Sequence, residues 1–469
     1  MKNNKNILGF TALLTLLCAS PVYAGGDVEA KKPVPGQLEN GLISITKLAP
    51  PITRVSDYSG DIWERNTMLG DLDGLRSKWY DEGFSLDAQV TQVYQGVTSG
   101  GTVPSNHRGA YNGLLEINGY LDTAKMGWWS GGLLATTFQS SWGNPLSSEA
   151  GNLSPVNMTP FWPVPFDNRA RFTELYLTQG LPNNMLLIVG RLDATNFLDT
   201  NLYANIPESQ FLNASLNNDL MWGNMLTFST YAALLIVPVD EKFSFAVGAW
   251  TPETQPDDYS GDWGSWAAVI NPMYSYHLGG KKGKAQITYA YSSADTSGFE
   301  NPRISPNSST DFISIKSGMP TKTDNWLVTF NLQQHLWTPE GSADYATGTQ
   351  DFANNPPGIG FFYRLGYMPE NRNMYNLTMS GGFGGRGVFN SRPNDRMGIG
   401  IYGMWASNEF KDSSFLLDAL LKDELGVEAY YNFAITPWLQ VSADIQYIDQ
   451  GLRTSKDAWV AGSRLNIRF

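Results

Sequence analysis

The sequence has little of what either a soluble enzyme or a helical membrane protein needs. Its 469 residues include a single cysteine, Cys18, and three histidines, and charged residues make up only 16% of the chain. A typical soluble domain carries roughly 25% charged residues. After residue 24 the chain has no run of about 18 consecutive apolar residues, so no membrane-spanning helix is predicted. It also has no run of lysine and arginine, so we expect no nucleic-acid partner.

The three histidines, His107, His277 and His335, have no partner at the spacing of a metal site or of a catalytic triad. The acidic stretch 257–262 lacks the spaced ligands of a calcium loop. We therefore expect no catalytic residue, no metal and no cofactor. A membrane-barrel enzyme is an alternative of another class, and it would need His277 to act with a partner brought close by the fold.

The first 24 residues have the features of a cleaved signal peptide. Lys2 and Lys5 precede the apolar run 7–19, and Val22–Ala24 provides the cleavage site. Cys18 lies inside this segment, so the predicted mature chain has no cysteine. That mature chain carries 30 basic and 44 acidic residues, a net charge of −14. An acidic pore favours neutral or cationic solutes, although the same charge also keeps long loops soluble.

What the chain does have is an alternation of apolar and polar residues. In the last stretch, one face holds Trp459, Ala461, Leu465, Ile467 and Phe469, whereas the other holds Gly462, Arg464, Asn466 and Arg468. Side chains alternate between faces along a strand, so this stretch predicts a strand with one apolar and one polar side. We expect it to meet lipid on its outer face and to close a barrel by pairing with the first strand.

The same two-residue period predicts 16 strands, at 84–91, 114–121, 132–142, 170–179, 184–192, 226–238, 242–250, 264–278, 284–292, 324–336, 358–368, 373–384, 396–406, 425–434, 438–447 and 459–468. Connections near 192–226 and 292–323 are long, whereas those at 237–241 and 434–437 are tight. We therefore expect an all-β fold, a transmembrane antiparallel barrel of about 16 strands.

Ten tryptophans lie near predicted strand ends: Trp128, Trp129, Trp142, Trp250, Trp263, Trp266, Trp337, Trp405, Trp438 and Trp459. Rings at these positions suit the aromatic girdles of a membrane barrel. A secreted soluble β-sheet protein that binds polysaccharide is the alternative, because its tryptophans would lie in a protein core.

The pattern divides the chain into three segments. Residues 1–24 are the predicted signal peptide, and 25–83 form an N-terminal periplasmic or plug-like segment with a short helix within 68–83. Residues 84–469 form the predicted barrel domain in the outer membrane.

Charged residues on the polar strand faces are candidates for a channel wall. Arg191 and Asp193 share one face of a predicted strand. Glu116, Glu428 and Arg464 lie among polar neighbours on other strands. Carboxylates and guanidinium groups exchange hydrogen bonds with sugar hydroxyls, so such a wall fits a sugar pore. The alternative is that these groups pair only with one another.

Eight short motifs follow one another from about residue 68 to the end of the chain: Leu69–Arg76, Arg171–Gln179, Ile188–Asp193, Phe211–Ser215, Glu428–Tyr431, Ile435–Leu439, Asp444–Ile448 and Gly462–Leu465, with Phe469 as the last residue. In this order they resemble the carbohydrate-selective porins of the OprB type. Leu72 and Asp73 depart from the family's opening motif, and Asp449–Gly451 replaces its usual Asn-Pro-Gly.

The resemblance implies a homotrimeric sixteen-stranded barrel in outer-membrane lipid that lets small sugars diffuse passively, without a cofactor. We expect Glu174, Arg191 and Asp193 near the narrowest part of the pore. Glu116, Glu428 and Arg464 are expected on its wall. A general diffusion porin, either non-specific or cation-preferring, is the alternative function within the same fold.

Overall fold

The computed structural model describes residues 58, 60–102, 109–146, 150–165, 167–226, 228–252, 259–261, 263–299, 303–305, 316–318, 321–340, 356–413 and 420–469. The predicted signal peptide and residues 25–57 lie outside the described residues, as do His107 and residues 257, 258 and 262 of the acidic stretch.

The strands are β1 (Phe84–Gly101), β2 (Gly109–Asp122), β3 (Gly132–Gly143), β4 (Ala170–Gly180), β5 (Leu186–Leu192), β6 (Thr230–Pro238), β7 (Phe243–Trp250), β8 (Ala267–Leu278), β9 (Lys281–Ser292), β10 (Thr296–Ser297), β11 (Arg303–Ser305), β12 (Lys316–Gly318), β13 (Thr321–Lys322), β14 (Asn325–Trp337), β15 (Gly358–Tyr367), β16 (Tyr375–Arg386), β17 (Arg396–Ala406), β18 (Glu424–Ala434), β19 (Leu439–Asp449) and β20 (Lys456–Arg468). The helices are α1 (Leu75–Asp81), α2 (Thr195–Leu198), α3 (Ala214–Asn217) and α4 (Asn408–Asp412).

Sixteen of these strands, β1–β9 and β14–β20, form one closed antiparallel barrel. β20 closes on β1, where Gln89 lies opposite Arg468 and Gln95 lies opposite Gly462. The short strands β10–β13 form two small sheets within the connection from β9 to β14. The predicted barrel is therefore confirmed, and the two small sheets are an addition to it. Among the described residues, no helix is both long and apolar enough to cross a membrane.

The two faces of the wall alternate as the sequence pattern predicts. On β20, Trp459 is 44% exposed, whereas Val460 and Arg464 are buried inside the barrel. Large apolar side chains are exposed on the outside of other strands, among them Ile270, Ile287, Ile399, Ile401 and Ile445. Such an outward apolar surface is what acyl chains require. It contradicts the soluble alternative, in which these side chains would be buried.

Both ends of the described chain lie at the same end of the barrel, here called the base. There α1 begins after a left-handed glycine, Gly74, and its Arg76 donates to the carbonyl oxygen of Phe469 over 3.1 Å. Met68 N–H donates to Arg468 O over 2.8 Å. The short helix predicted within 68–83 is thus present, and it lies beneath the seam between β1 and β20.

Connections at the base are short with one exception. The turns 181–185, 239–242, 279–280 and 435–438 are tight, but the connection from β14 to β15 covers 338–357. Connections at the opposite end include the long segments 144–169, 193–229 and 293–324. The predicted alternation of short turns and long loops therefore holds for most of the barrel.

The aromatic girdle prediction holds for most of the tryptophans. Trp128, Trp129, Trp263, Trp266, Trp337 and Trp459 are exposed at strand ends. Trp250 is the exception, because it points inward, is 3% exposed and donates to Met225 O over 2.8 Å. It belongs to the interior, where a loop residue supplies its partner.

The main apolar core lies inside the barrel, between the wall and the loop 193–229, here called the inner loop. Inner-loop residues such as Phe211 and Trp222 pack against wall residues such as Ile188, Leu234 and Phe362. A loop can be buried only where its backbone polar groups find partners. Wall side chains such as Glu428 and Arg364 supply these partners.

Candidate functional site

The first acidic group of the interior lies where the inner loop leaves β5. Glu174 on β4 accepts hydrogen bonds from Asp193 N–H at 2.9 Å and from Thr137 Oγ1 at 2.8 Å. Asp193 in turn accepts from the backbone N–H of Thr195 at 2.9 Å and from its hydroxyl at 2.6 Å. Burial, with the charge of Glu174 adding to it, raises the pKa of Asp193 to about 7. The two carboxyl groups predicted near the waist are thus neighbours.

Glu116 lies on the inner face of β2 and is partly accessible. Its carboxylate accepts from the side-chain amides of Gln89 at 3.1 Å, Asn118 at 2.9 Å and Gln139 at 3.0 Å. The strand alternation that predicted an inward Glu116 is correct. Three uncharged side-chain amides thus hold the carboxylate of Glu116 on the inner side of the wall.

Glu428 lies on the inner face of β18 and is fully buried. It accepts from two successive backbone N–H groups of the inner loop, those of Leu212 at 2.6 Å and Asn213 at 2.8 Å. Its position on the wall is as predicted, but its carboxylate is occupied by the loop. Glu424 lies four residues earlier on the same face of β18. It accepts from Leu153 N–H at 2.7 Å and Ser154 N–H at 2.9 Å.

The described residues of 144–169, here called the second loop, also fold into the barrel. Ser154 donates from Oγ to Asn213 Oδ1 at 2.8 Å, and Met158 N–H donates to Leu212 O at 2.9 Å. The inner loop and the second loop are therefore bonded to each other as well as to the wall. Together they occupy part of the barrel interior.

Arg464 lies on the inner face of β20 and is 1% exposed. It donates from Nη1 to Pro207 O of the inner loop at 2.6 Å and from Nη2 to Ser442 Oγ at 2.8 Å. Glu208, next to Pro207, interacts electrostatically with the guanidinium. Arg464 is thus on the predicted wall and contacts the inner loop.

The predicted position of Arg191 in the lumen needs correction. Arg191 pairs in register with Leu175 and Tyr231, two residues of the outward face. Its guanidinium lies 5.7 Å from the ring of Tyr231 and 4.6 Å from that of Tyr259. β5 ends at Leu192, so Asp193 belongs to the inner loop. Arg191 and Asp193 therefore do not share a strand face, contrary to the prediction from the sequence pattern.

Sequence reasoning missed the charged residues that bury the inner loop. Arg364 on β15 and Asp199 in the loop form an ion pair, with Nε and Oδ1 3.1 Å apart and both side chains at most 2% exposed. Arg364 shares the inward face of β15 with Gly360 and Phe362, and it is the one charged residue of that strand. The two-residue period could therefore have predicted an inward arginine here. Nothing in the sequence indicated that its partners were loop carbonyl groups.

The described residues contain no group of three or more His, Cys, Asp or Glu side chains suited to a metal ion. His335 is buried and bonds Tyr203 Oη at 2.9 Å and Thr338 Oγ1 at 2.8 Å. His277 is exposed near the base end of β8. His335 therefore has a structural position in the interior, and His277 lies on the surface.

A closed sixteen-stranded barrel with an apolar outside and two loops folded into its interior defines the class of outer-membrane channels. A family model described as carbohydrate-selective porin, OprB family, matches residues 106–469. This chain belongs to the OprB family and is a carbohydrate-selective porin of the outer membrane.

The chain is also similar to individual proteins. The chain is 22% identical over 482 residues to "Putative porin QuiX" of Acinetobacter baylyi, covering 92% of this chain and 98% of the relative. Its fold is similar to the high-pH structure of Pseudomonas putida OprB, with a TM-score of 0.73, 18% identity, and coverage of 87% and 100% of the two chains. A low-pH structure of the same protein has a TM-score of 0.51 at 17% identity, with coverage of 87% and 99%.

Proposed function

We propose that small neutral sugars diffuse through a path bounded on one side by the inner loop and on the other by the polar wall of β20, β1, β2 and β3. Glu116, Glu174 and Asp193 are one acidic group along this path. Arg464 of the wall and Glu208 of the inner loop are a second charged group along it. The residues act by weak, exchangeable hydrogen bonds, so transport needs neither a cofactor nor an energy source.

The observation that carries this proposal is the contrast between the two halves of the interior. The wall from β5 to β9 is covered by the apolar side chains of the inner loop. The wall near the barrel seam instead presents polar side chains, and among them the carboxylate of Glu116 is partly accessible and accepts from the side-chain amides of Gln89, Asn118 and Gln139. Accessible polar groups of this kind exchange hydrogen bonds with water and sugar hydroxyls.

Planar bilayer recordings test this path. We expect the wild-type protein to conduct ions in discrete steps that added sugar partly blocks. Glu116→Gln should weaken the block about tenfold, because one charge-assisted hydrogen bond contributes about that factor. Glu82→Gln, which changes an exposed acid beside Lys78 at the base, is the matched control. Folded protein that conducts without any sugar block would contradict the proposal.

The general diffusion alternative predicts a different result in the same recordings. A non-specific or cation-preferring pore would show a salt-gradient reversal potential set by its acidic residues but the same block by sugars and by size-matched polyethers. A sugar path should be blocked more strongly by the sugar. Hydrolysis assays with His277→Ala would detect the enzymatic alternative, for which the porin family offers no support.

We also propose that the protein is a homotrimer that contacts its partners through the outer face of β1–β3. That face carries an exposed hydrogen-bonded group, in which Trp142 Nε1 donates to Tyr111 Oη at 3.2 Å and Tyr111 Oη donates to Gln92 Oε1 at 2.9 Å. Polar groups in contact with acyl chains are costly, so a protein neighbour suits them better than lipid. Native mass spectrometry of the detergent-extracted protein should show three copies, and Tyr111→Arg should reduce that number.

The proposed organisation of the chain is a signal peptide at 1–24, a periplasmic or plug-like segment at 25–83 and the barrel at 84–469. Sequencing the N-terminus of the protein isolated from outer membranes should begin at Gly25. A protein that retains residue 1 would contradict the processing step.

A further inference from the structure

One guanidinium group of the wall binds the inner loop at several points at once. Arg364 on β15 is 1% exposed and donates to four acceptors, all on the inner loop. These are Asp199 Oδ1 at 3.1 Å, Leu216 O at 3.1 Å, Ala204 O at 2.5 Å and Asn205 Oδ1 at 2.6 Å. The acceptors are spread over 18 positions of the loop, from 199 to 216. One wall residue thus fixes both the descending and the returning part of the loop.

The ion-pair partner of Arg364 extends this attachment. Asp199 also accepts from Asn331 Nδ2 of β14 at 2.8 Å and from Asp219 N–H at 2.8 Å. Thr378 on β16 donates to Asp219 Oδ1 at 2.7 Å. Three neighbouring strands therefore contribute to one buried polar network. A second cation, Lys284 on β9, donates to Thr200 Oγ1 at 2.9 Å and interacts electrostatically with Asp199. Such a network is stable when every member has a partner.

Small residues on the same wall let the loop come close. A β-carbon at Gly360 would lie 1.9 Å from the ring of Tyr203, and one at Gly384 would lie 2.6 Å from the carbonyl oxygen of Tyr203. A β-carbon at Gly400 would lie 2.8 Å from Leu216 Cδ2. Only glycine allows this separation between loop and strand. The wall of β15–β17 is therefore shaped to receive the loop in one position.

We propose that Arg364 is a positioning residue that sets the width of the sugar path by holding the inner loop against β15. This inference rests on the proposed path, because the loop edge opposite Arg364 carries Asp193, Pro207 and Glu208 toward the polar wall. Releasing the loop from Arg364 lets that edge move, so the pore becomes wider and less uniform and binds sugar less well.

The geometry explains why an arginine is required. A guanidinium presents five N–H donors in a fixed plane and can serve several acceptors at once, whereas a lysine ammonium is a point charge on a flexible stem. Arg364→Lys keeps the charge that balances Asp199 but cannot reach all four acceptors. The Arg364→Lys variant therefore distinguishes the effect of loop position from the effect of charge.

The test is a comparison of wild type, Arg364→Lys and Arg386→Lys in planar bilayers. Arg386 is on the adjacent strand β16 and donates to Asn394 in the next base turn at 2.8 Å, so it is the matched control. For Arg364→Lys we expect noisier open channels, weaker sugar block and passage of larger oligosaccharides in liposome swelling. The population of channels with a displaced loop should rise about tenfold for each charge-assisted hydrogen bond lost. Arg386→Lys should behave as wild type.

A disulfide tether tests the same idea by a different chemistry. The pair Leu216→Cys and Gly400→Cys, added to Arg364→Lys, places two thiols where the loop touches β17. Leu216→Cys also removes the Cδ2 atom that a β-carbon at position 400 would otherwise meet at 2.8 Å. Oxidation should restore quiet channels and sugar block, and reduction should abolish both again. The disulfide restrains only the position of the inner loop. If Arg364→Lys had instead damaged another part of the barrel, oxidation would not restore quiet channels or sugar block.

Three outcomes would overturn the inference. One is an Arg364→Lys protein that migrates as a folded, heat-modifiable barrel and keeps wild-type noise, block and size limit. Another is a tethered variant that oxidation leaves noisy. If Arg364→Lys does not fold, Asp199→Asn, which leaves Arg364 in place, must show the same noise and weaker block, and its failure to do so also contradicts the inference. A wild-type channel without sugar block would instead contradict the proposed function.

Discussion

Asp193 links the acidity of the pore to pH in a way that can be measured. Its pKa of about 7, raised by burial, makes the side chain neutral at pH 5 and negative at pH 8. Asp193→Asn keeps the shape and the acceptor for Thr195 but carries no charge at any pH. One unit charge about 7 Å from a passing ion changes its energy by about 0.6 kcal/mol in water, or about threefold in local cation concentration. Wild-type channels should therefore become about threefold more cation-preferring between pH 5 and pH 8.

The same shift has a consequence for stability, with a defined sign. The pKa of Asp193 is higher in the folded than in the unfolded state, so its contribution is fully present below about pH 4 and is lost as pH rises through about 7. The difference between the ordinary pKa of an aspartate and a pKa of about 7 corresponds to about 4 kcal/mol. The temperature at which the folded band disappears from SDS gels should fall between pH 5 and pH 8 in wild type. It should fall less in Asp193→Asn, in which Asp219, whose pKa burial raises to about 6, still titrates.

The assay is a reversal potential measured across a salt gradient at pH 5, 6, 7 and 8 for both proteins. The reasoning predicts a sigmoidal rise in cation preference centred near pH 7 for wild type and no rise of that size for Asp193→Asn. Identical profiles for the two proteins would refute both the proposed place of Asp193 beside the path and the effect of its burial.

Four further changes have expected outcomes. Glu428→Gln places an amide N–H₂ against a backbone N–H of the inner loop, which costs about 1–3 kcal/mol and should give noisier channels in bilayers. Gly384→Ala puts a β-carbon 2.6 Å from Tyr203 O, so it should alter conductance while the barrel still forms. Ile445→Arg places a charge on the lipid face and should lower the unfolding temperature on SDS gels, at a cost of about 2–4 kcal/mol. Arg191→Ala should leave sugar block unchanged, because its guanidinium lies with Tyr231 and not in the path.

The wall of the barrel was predictable because each of its residues faces one of two solvents. Ile445 and Gln446 differ in polarity because one meets lipid and the other meets the interior, and this contrast repeats at every second position. The 16 strands, the closure of β20 on β1 and the inward placement of Glu116 all follow from that period. The inner placement of Glu428 and Arg464 follows from it as well.

The interior was not predictable because its contacts join residues far apart in the chain. Nothing local shows that Glu428 binds the backbone of Leu212, or that Arg364 binds Leu216 O. Trp250 was expected in the girdle because it ends a strand, but the buried inner loop supplies its partner. Arg191 was misplaced because Asp193 lies beyond the end of β5, where the two-residue period no longer applies.

The most direct test of a water-filled sugar path inside the barrel uses a single cysteine. The predicted mature chain contains none, so Glu116→Cys introduces a unique thiol on the inner face of β2. A charged, water-soluble methanethiosulfonate should react with it, reduce the single-channel current and react more slowly when sugar is present. A thiol at residue 116 that stays unreactive, or that reacts with no effect on current and no protection by sugar, would contradict the path.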